Sequence, residues 1–183
     1  MNQVGTLTLE TKRLRLRQMV MTDAFAMFHN WANDPQVTKY LTWNPHQSIE
    51  TTQEIIKSWM EQYASSLFFH WAIVYCPTHE LIGTISLFKV DPQLKTGELG
   101  YCMSAKYWNR GIMSEAVGAV LSFAFNTVGF SEIEARHDIN NPASGRVMQK
   151  NKMTKMGNVI TFSKKENKDI ELCVYRIKKE EFL

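Results

Sequence analysis

The chain has 183 residues, 44% of them hydrophobic and 11% aromatic, with a charged fraction of 21%. That composition fits one globular domain spanning residues 1–183 with a substantial core, and it excludes a disordered chain. A net charge of +3, spread along the sequence, marks neither a nucleic-acid partner nor a membrane surface.

No apolar run approaches the ~18 residues that a membrane helix needs, and no basic-then-apolar leader opens the chain. Cys76, Cys102 and Cys173 are odd in number and contain no CxxC pair. They specify neither a disulfide framework nor a metal site, and a reducing, cytoplasmic setting is expected.

In chain order, residues 7–18 read as one strand, with Arg13, Arg15 and Arg17 on a solvent face alternating with Leu14 and Leu16. Thr22 or Asp23 caps a helix carrying Phe25, Met27, Phe28 and Trp31, which stops near Asp34-Pro35. A short segment, residues 37–41, leads to the loop Thr42-Trp43-Asn44-Pro45-His46. Ser48 is the expected N-cap of a helix running to Tyr63, with Ile55, Ile56, Trp59 and Met60 inward. Strands at 68–75, 81–90 and 96–104 follow, joined by connections short enough for hairpins.

From Met113 onward, apolar residues recur at Val117, Val120, Leu121, Ala124, Phe125 and Val128, a helical period. A strand at 133–139, a helix at 142–150 and strands at 157–163 and 169–177 complete the chain. Consecutive hairpins with one strand–helix–strand crossover specify an α/β fold. Its mixed central sheet is largely antiparallel.

The most informative stretch is Tyr107-Trp108-Asn109-Arg110-Gly111-Ile112-Met113-Ser114-Glu115-Ala116. It ends a strand and opens a helix. Free N–H groups at a helix N-terminus, the helix dipole, a close-approach glycine and a neighbouring arginine together make an anion site. Phosphate or pyrophosphate is the expected ligand. Neither GxxxxGK[ST] nor GxGxxG is present, which removes the two commonest owners of such a site.

Trp108-Asn109-Arg110-Gly111-Ile112-Met113 resembles motif A of the GNAT acetyltransferases, (Q/R)xxGx(G/A). The longer string from Gly97-Glu98-Leu99-Gly100-Tyr101 to Ala116 is similar to their Rim-type branch, the ribosomal-protein N-terminal acetyltransferases. Leu9 to Arg17, Asp34 to Leu41 with Trp43 and Pro45, Leu81 to Ile85, and Asn141-Pro142-Ala143-Ser144 resemble further segments of that branch, in order.

The resemblance implies a GNAT-like fold with helices on both faces of the sheet, and acetyl-CoA as acetyl donor. It places the pyrophosphate on the backbone of Asn109, Arg110, Gly111, Ile112, Met113 and Ser114. Pantetheine would run beside Cys102 and Met103, with Asn141 and Ser144 on its other side. The implied reaction is direct attack by a primary amine, either a peptide or protein N-terminus or a small molecule. Glu98 is the candidate base and Ser144 the candidate group at the sulfur. Tyr40 and Trp43 are candidates for the acceptor cleft.

Many family members carry a tyrosine acid where this chain has Met148. That departure keeps open a non-catalytic acyl-CoA-binding module. Asn151 is expected to supply the left-handed turn that ends the last helix, where the branch usually has Leu-Gly.

Overall fold

The computed structural model describes residues 1–182. Eight strands form one sheet: β1 (Leu9–Glu10), β2 (Leu14–Arg17), β3 (Phe69–Tyr75), β4 (Glu80–Asp91), β5 (Thr96–Met103), β6 (Glu132–Asp138), β7 (Thr154–Ser163) and β8 (Lys168–Lys178). Their spatial order is β1-β2-β3-β4-β5-β6-β8-β7, and among the described residues only β5 and β6 run parallel.

The helices are α1 (Ala24–Met27), continued by a π-helical turn Phe28–Ala32, then α2 (Pro35–Thr38), α3 (Ile49–Gln62), α4 (Ile112–Ser122), α5 (Pro142–Lys150) and α6 (Lys179–Phe182). A second π-helical turn, Phe123–Val128, extends α4 and ends at Gly129 in the left-handed conformation.

Helices cover both faces of the sheet, as the alternation of the central strands requires. On one face, Phe69 and Trp71 of β3, Leu99 and Met103 of β5, and Ile133 and Ala135 of β6 pack against Ala116, Val117, Val120 and Leu121 of α4 and Met148 of α5. On the other face, Ala72 and Leu81 meet Met27, Trp31 and Ile56, with Trp59 and Cys102 at the margin. Each fully buried large side chain contributes about 1.5–3 kcal/mol.

Four sequence expectations are corrected. Residues 7–18 are not one strand but a hairpin of β1 and β2, turned at residues 11–13. The turn exists because Thr11 and Arg13 are drawn onto α4. Arg15 is exposed, as alternation requires, but Arg17 is bound to Asp23 by two hydrogen bonds of 2.7 and 2.8 Å. On α3, Ile56 is buried while Ile55 and Met60 are 38% and 42% exposed, so the inward stripe is narrower than expected. Finally, the left-handed residue after α5 is Lys152, at φ +61°, not Asn151 at φ −97°. Asn151 instead spends its amide on the carbonyls of Ser114 and Val147, at 3.1 and 3.0 Å, tying α5 to the start of α4.

Gly83 of β4 lies opposite Met103 of β5. A Cβ there would stand 2.3 Å from the Cys102 carbonyl oxygen and 2.9 Å from the Met103 Cα. Both neighbours are backbone, so the strands must separate to admit it. Gly83→Ala is expected to destabilise the fold by about 2–3 kcal/mol, read from the urea midpoint. An unchanged midpoint would contradict this close approach.

Candidate functional site

β5 leads through a short 3-10 turn, Ala105–Tyr107, into α4. Two residues of the connection take left-handed backbone, Asn109 at φ +59° and Gly111 at φ +70°. Asparagine and glycine are the residues that adopt it most readily. The backbone N–H groups of Asn109, Arg110, Gly111, Ile112, Met113 and Ser114 make no hydrogen bond among the described residues. The first to do so is that of Glu115, which donates to the Gly111 carbonyl at 3.2 Å. Six consecutive free donors at the positive end of a helix form an anion cradle.

The side chains of Ile112 and Met113 are buried in the core, so these residues offer only backbone to a ligand. The Arg110 guanidinium lies over the Tyr107 ring, 5.5 Å from its centroid, at an exposed position beside the cradle.

The cradle is held from behind. The Glu115 carboxylate accepts from the Thr11 hydroxyl at 2.6 Å, the Arg13 backbone N–H at 2.9 Å and Arg13 Nε at 2.7 Å. Arg13 Nη1 also donates to the Arg110 carbonyl at 3.0 Å, and Trp108 Nε1 to the Met103 carbonyl at 2.8 Å. Arg13, expected on a solvent face, is therefore a brace of the loop. Burial alone would raise the Glu115 carboxyl above its ordinary value, but the bonds from Thr11 and Arg13 outweigh it and the net shift is downward.

The second element of the site is a gap in the sheet. β5 and β6 pair from Thr96↔Glu132 to Leu99↔Ala135 and no further, although both strands continue. The β6-facing side of β5 beyond Leu99 has no strand partner. The backbone of Met103 faces this open side, whereas that of Cys102, in register with Thr84 and two residues before Ser104, whose N–H donates to the Ile82 carbonyl at 2.8 Å, faces β4. The Met103 carbonyl is already taken by Trp108, so that atom is not free for a ligand.

Tyr101 projects across the gap toward α5. Its hydroxyl sits 3.0 Å from the Ser144 carbonyl and 2.9 Å from Ser144 Oγ. Burial raises its pKa well above the ordinary tyrosine value. Sequence reasoning missed Tyr101. The only available signal was its place in the β5 alternation, on the side opposite Glu98, Gly100 and Cys102.

Asn141 is the N-cap of α5, its Oδ1 accepting weakly from the Ser144 N–H at 3.4 Å. Gly145 lets α5 lie directly on β6, since a Cβ there would meet His137 Nε2 at 2.6 Å.

Glu98 and Glu134 face each other in register at the foot of the gap, on the face opposite α4 and α5. Glu134 is committed to Arg176 at 2.8 Å and Arg136 at 3.2 Å, and these hydrogen bonds lower its pKa. Glu98 is bound to Lys89 at 2.7 Å, with Arg136 at 3.8 Å. Lys89 is 64% exposed and stands at a β-bulge with φ +49°. The lysine end of the pair is therefore in solvent, while the Glu98 side chain is only 12% exposed. Cys102 Sγ lies 3.4 Å from Thr84 Oγ1, and burial raises its pKa, which disfavours a thiolate nucleophile.

A cleft of about 630 Å³ opens beyond the end of β6, lined by Tyr40, Asp138, Ile139, Glu166, Lys168 and Asp169 among others. Asp138 lies three residues past Ala135, which places the cleft roughly 10 Å along β6 from the last β5–β6 pair. Of the two aromatic acceptor candidates, the structure sets only Tyr40 on this cleft. Trp43 packs against the second core cluster with its ring 5.1 Å from that of His46.

Because the Glu115 carboxyl titrates below its ordinary value in the folded protein, its contribution is complete above the unfolded value near ~4.3. It is lost as pH falls through the lower folded value. Glu115→Gln is expected to cost about 1 kcal/mol at pH 7 in chemical denaturation, discounted for partial exposure. The difference from the parent should shrink below about pH 4. A pH-independent difference would mean that the charge is not what braces the loop.

Comparison with known proteins places this geometry in a family. The model of the Acetyltransferase (GNAT) domain matches residues 13–154. The chain is 33% identical over 171 residues to the protein called "Uncharacterized N-acetyltransferase YoaA" of Bacillus subtilis (strain 168), covering 93% of this chain and 96% of that one. Its fold is similar to the ribosomal-protein-S5-alanine acetyltransferase from Vibrio fischeri, with a TM-score of 0.77, 18% identity and coverage of 97% and 99% of the two chains. It is also similar to the microcin C7 self-immunity acetyltransferase MccE, solved with acetyl-CoA and AMP, with a TM-score of 0.81, 16% identity and coverage of 92% and 93%. The anion cradle at the head of α4 and the gap between β5 and β6 thus belong to an N-acetyltransferase of the GNAT family that has ribosomal-protein acetyltransferases among its structural relatives.

Proposed function

We propose that this protein moves the acetyl group of acetyl-CoA to a primary amine by direct attack, in the cytoplasm. The acceptor is a peptide or protein N-terminus or a small amine entering through the Tyr40 cleft. The observation that carries the reading is the run of six unpaired N–H groups beside an unpaired strand edge. The cradle takes the pyrophosphate, and the free edge of β5 takes the pantetheine amides as a strand would. Asn141, whose side-chain N–H₂ has no partner among the described residues, donates from the far side.

Transfer needs a proton removed from the ammonium, charge stabilised on the developing oxyanion and a proton for the departing thiolate. Of the two β5 candidates, Cys102 and Met103, the Met103 N–H faces the open edge and serves the oxyanion, since the Cys102 backbone is turned toward β4. Glu98 receives the ammonium proton by way of water, its exposed partner Lys89 moving aside. When Tyr101 donates to Ser144 Oγ, the serine proton is left free to point at the sulfur. Met148, at the position where many relatives have a tyrosine acid, is buried in the core and supplies nothing. The acidic groups of the cleft, Asp138, Glu166, Asp169 and Glu171 against Lys39 and Lys168, suit an acceptor that arrives protonated.

Acetyl-CoA-dependent thiol release over a panel of peptides and small amines tests this reading. Acetyl-CoA binding with no acceptor-dependent release would leave only an acyl-CoA-binding module. Gly111→Asp should weaken acetyl-CoA binding by about tenfold or more, through added negative charge in the cradle and left-handed strain. Unchanged affinity in calorimetry would remove the site. Tyr101→Phe and Ser144→Ala should each lower kcat by about tenfold or more while acetyl-CoA affinity holds. Glu98→Gln should lower kcat more steeply than KM, and full activity at neutral pH would remove the base assignment.

A further inference from the structure

The cleft is built from segments far apart in sequence, and its outer wall has little of its own to hold it in place. Every residue of β7 but Ser163 is exposed, so that strand adds little hydrophobic packing and the hairpin is anchored mainly through the pairing of β8 with β6. What joins its tip to the opposite wall is Lys165. Its Nζ donates to the carbonyls of Thr38 at 2.6 Å, Lys39 at 3.2 Å and Leu41 at 3.2 Å. An ammonium has three N–H donors, and here all three have acceptors.

The acceptors are the carbonyls at the end of α2 and in the turn after it, and that of Thr38 also accepts from the Leu41 N–H at 2.9 Å. Tyr40 sits between Lys39 and Leu41, so the same bonds fix the backbone on both sides of Tyr40. Across the cleft, Glu166 directly follows Lys165 and Lys168 opens β8, and both line the space opposite Tyr40.

We propose that Lys165 is a positioning residue for acceptor binding. Resting on the acetyltransferase reading above, it latches the β7–β8 tip onto the α2 turn and so sets the width of the acceptor cleft between Tyr40 and Glu166. It touches none of the acetyl-CoA cradle, and the cleft lies beyond the end of β6. Its loss therefore acts on the acceptor and not on the donor.

Lys165→Met keeps the length of the side chain and removes its donors, and Lys165→Arg restores donors to the same carbonyls. The expected result for Lys165→Met is a rise in acceptor KM of about tenfold, with kcat within about twofold and acetyl-CoA affinity unchanged. Lys165→Arg should recover most of the lost acceptor affinity.

Amide hydrogen exchange of residues 38–42 and 164–168, measured on the same proteins without any substrate, should rise in Lys165→Met and return in Lys165→Arg. That readout stands even if no acceptor is found, so failure of the latch is distinguishable from failure of the enzyme reading. Unchanged exchange in both segments would overturn the latch. Faster exchange with an unchanged acceptor KM would overturn its role in acceptor binding, as would an equal loss of acetyl-CoA affinity.

Discussion

The structure turns on two parallel strands that stop pairing while both continue. Up to Leu99 and Ala135 they form an ordinary ladder, and beyond that point each carries backbone donors and acceptors with no strand opposite. Unpaired groups of this kind in a sheet interior call for a partner. An extended ligand with amide groups can supply one. The same strand that loses its neighbour delivers the chain into the start of α4, so the open ladder edge and the loop with free N–H groups follow one another along the chain. Gly145 lets α5 rest on β6, and Tyr101 reaches across to Ser144, so α5 stands against that open edge.

An anion site at a helix N-terminus contains a conflict that this chain resolves with Glu115. A carboxylate in the first turn stabilises the helix, but it would also repel any anion placed at the free N–H groups. Here the Glu115 charge is turned toward Arg13 and Thr11, which neutralise it by hydrogen bonding and leave the six N–H groups of the loop untouched. The price is local regularity: the first strand breaks into a hairpin so that its turn can reach the helix. Stability of the β1–β2 turn and shape of the cradle are therefore one property.

The parts legible in the sequence were those governed by local rules. The apolar period of α4, the Ser48 cap of α3, the hairpins among β3, β4 and β5, and the crossover that forces β5 and β6 parallel follow from spacing and turn chemistry. The turn that leaves residues 109–114 with free N–H groups was legible because a strand, a glycine and a helix start lie within ten residues. What was not legible depends on partners distant in the chain.

The break at residues 11–13 is imposed by a carboxylate about a hundred positions later. Asn151 was expected to turn left-handed, but its amide is more useful on Ser114 and Val147, and the strained conformation passes to Lys152. Tyr101 gained its meaning only when α5 placed Ser144 against it. The cleft beyond β6 needed the β7–β8 tip, which no motif marked; Tyr40 lines it, while Trp43 is partly buried against the second core cluster.

The most direct measurement is the amide spectrum of the isotopically labelled protein as acetyl-CoA is added. The expected result is that the N–H resonances of residues 109–114 move together and become protected from exchange. Those on the β6-facing edge of β5 beyond Leu99 should follow them. Binding that shifts resonances elsewhere and leaves residues 109–114 unmoved would contradict the assignment of this loop as the cradle.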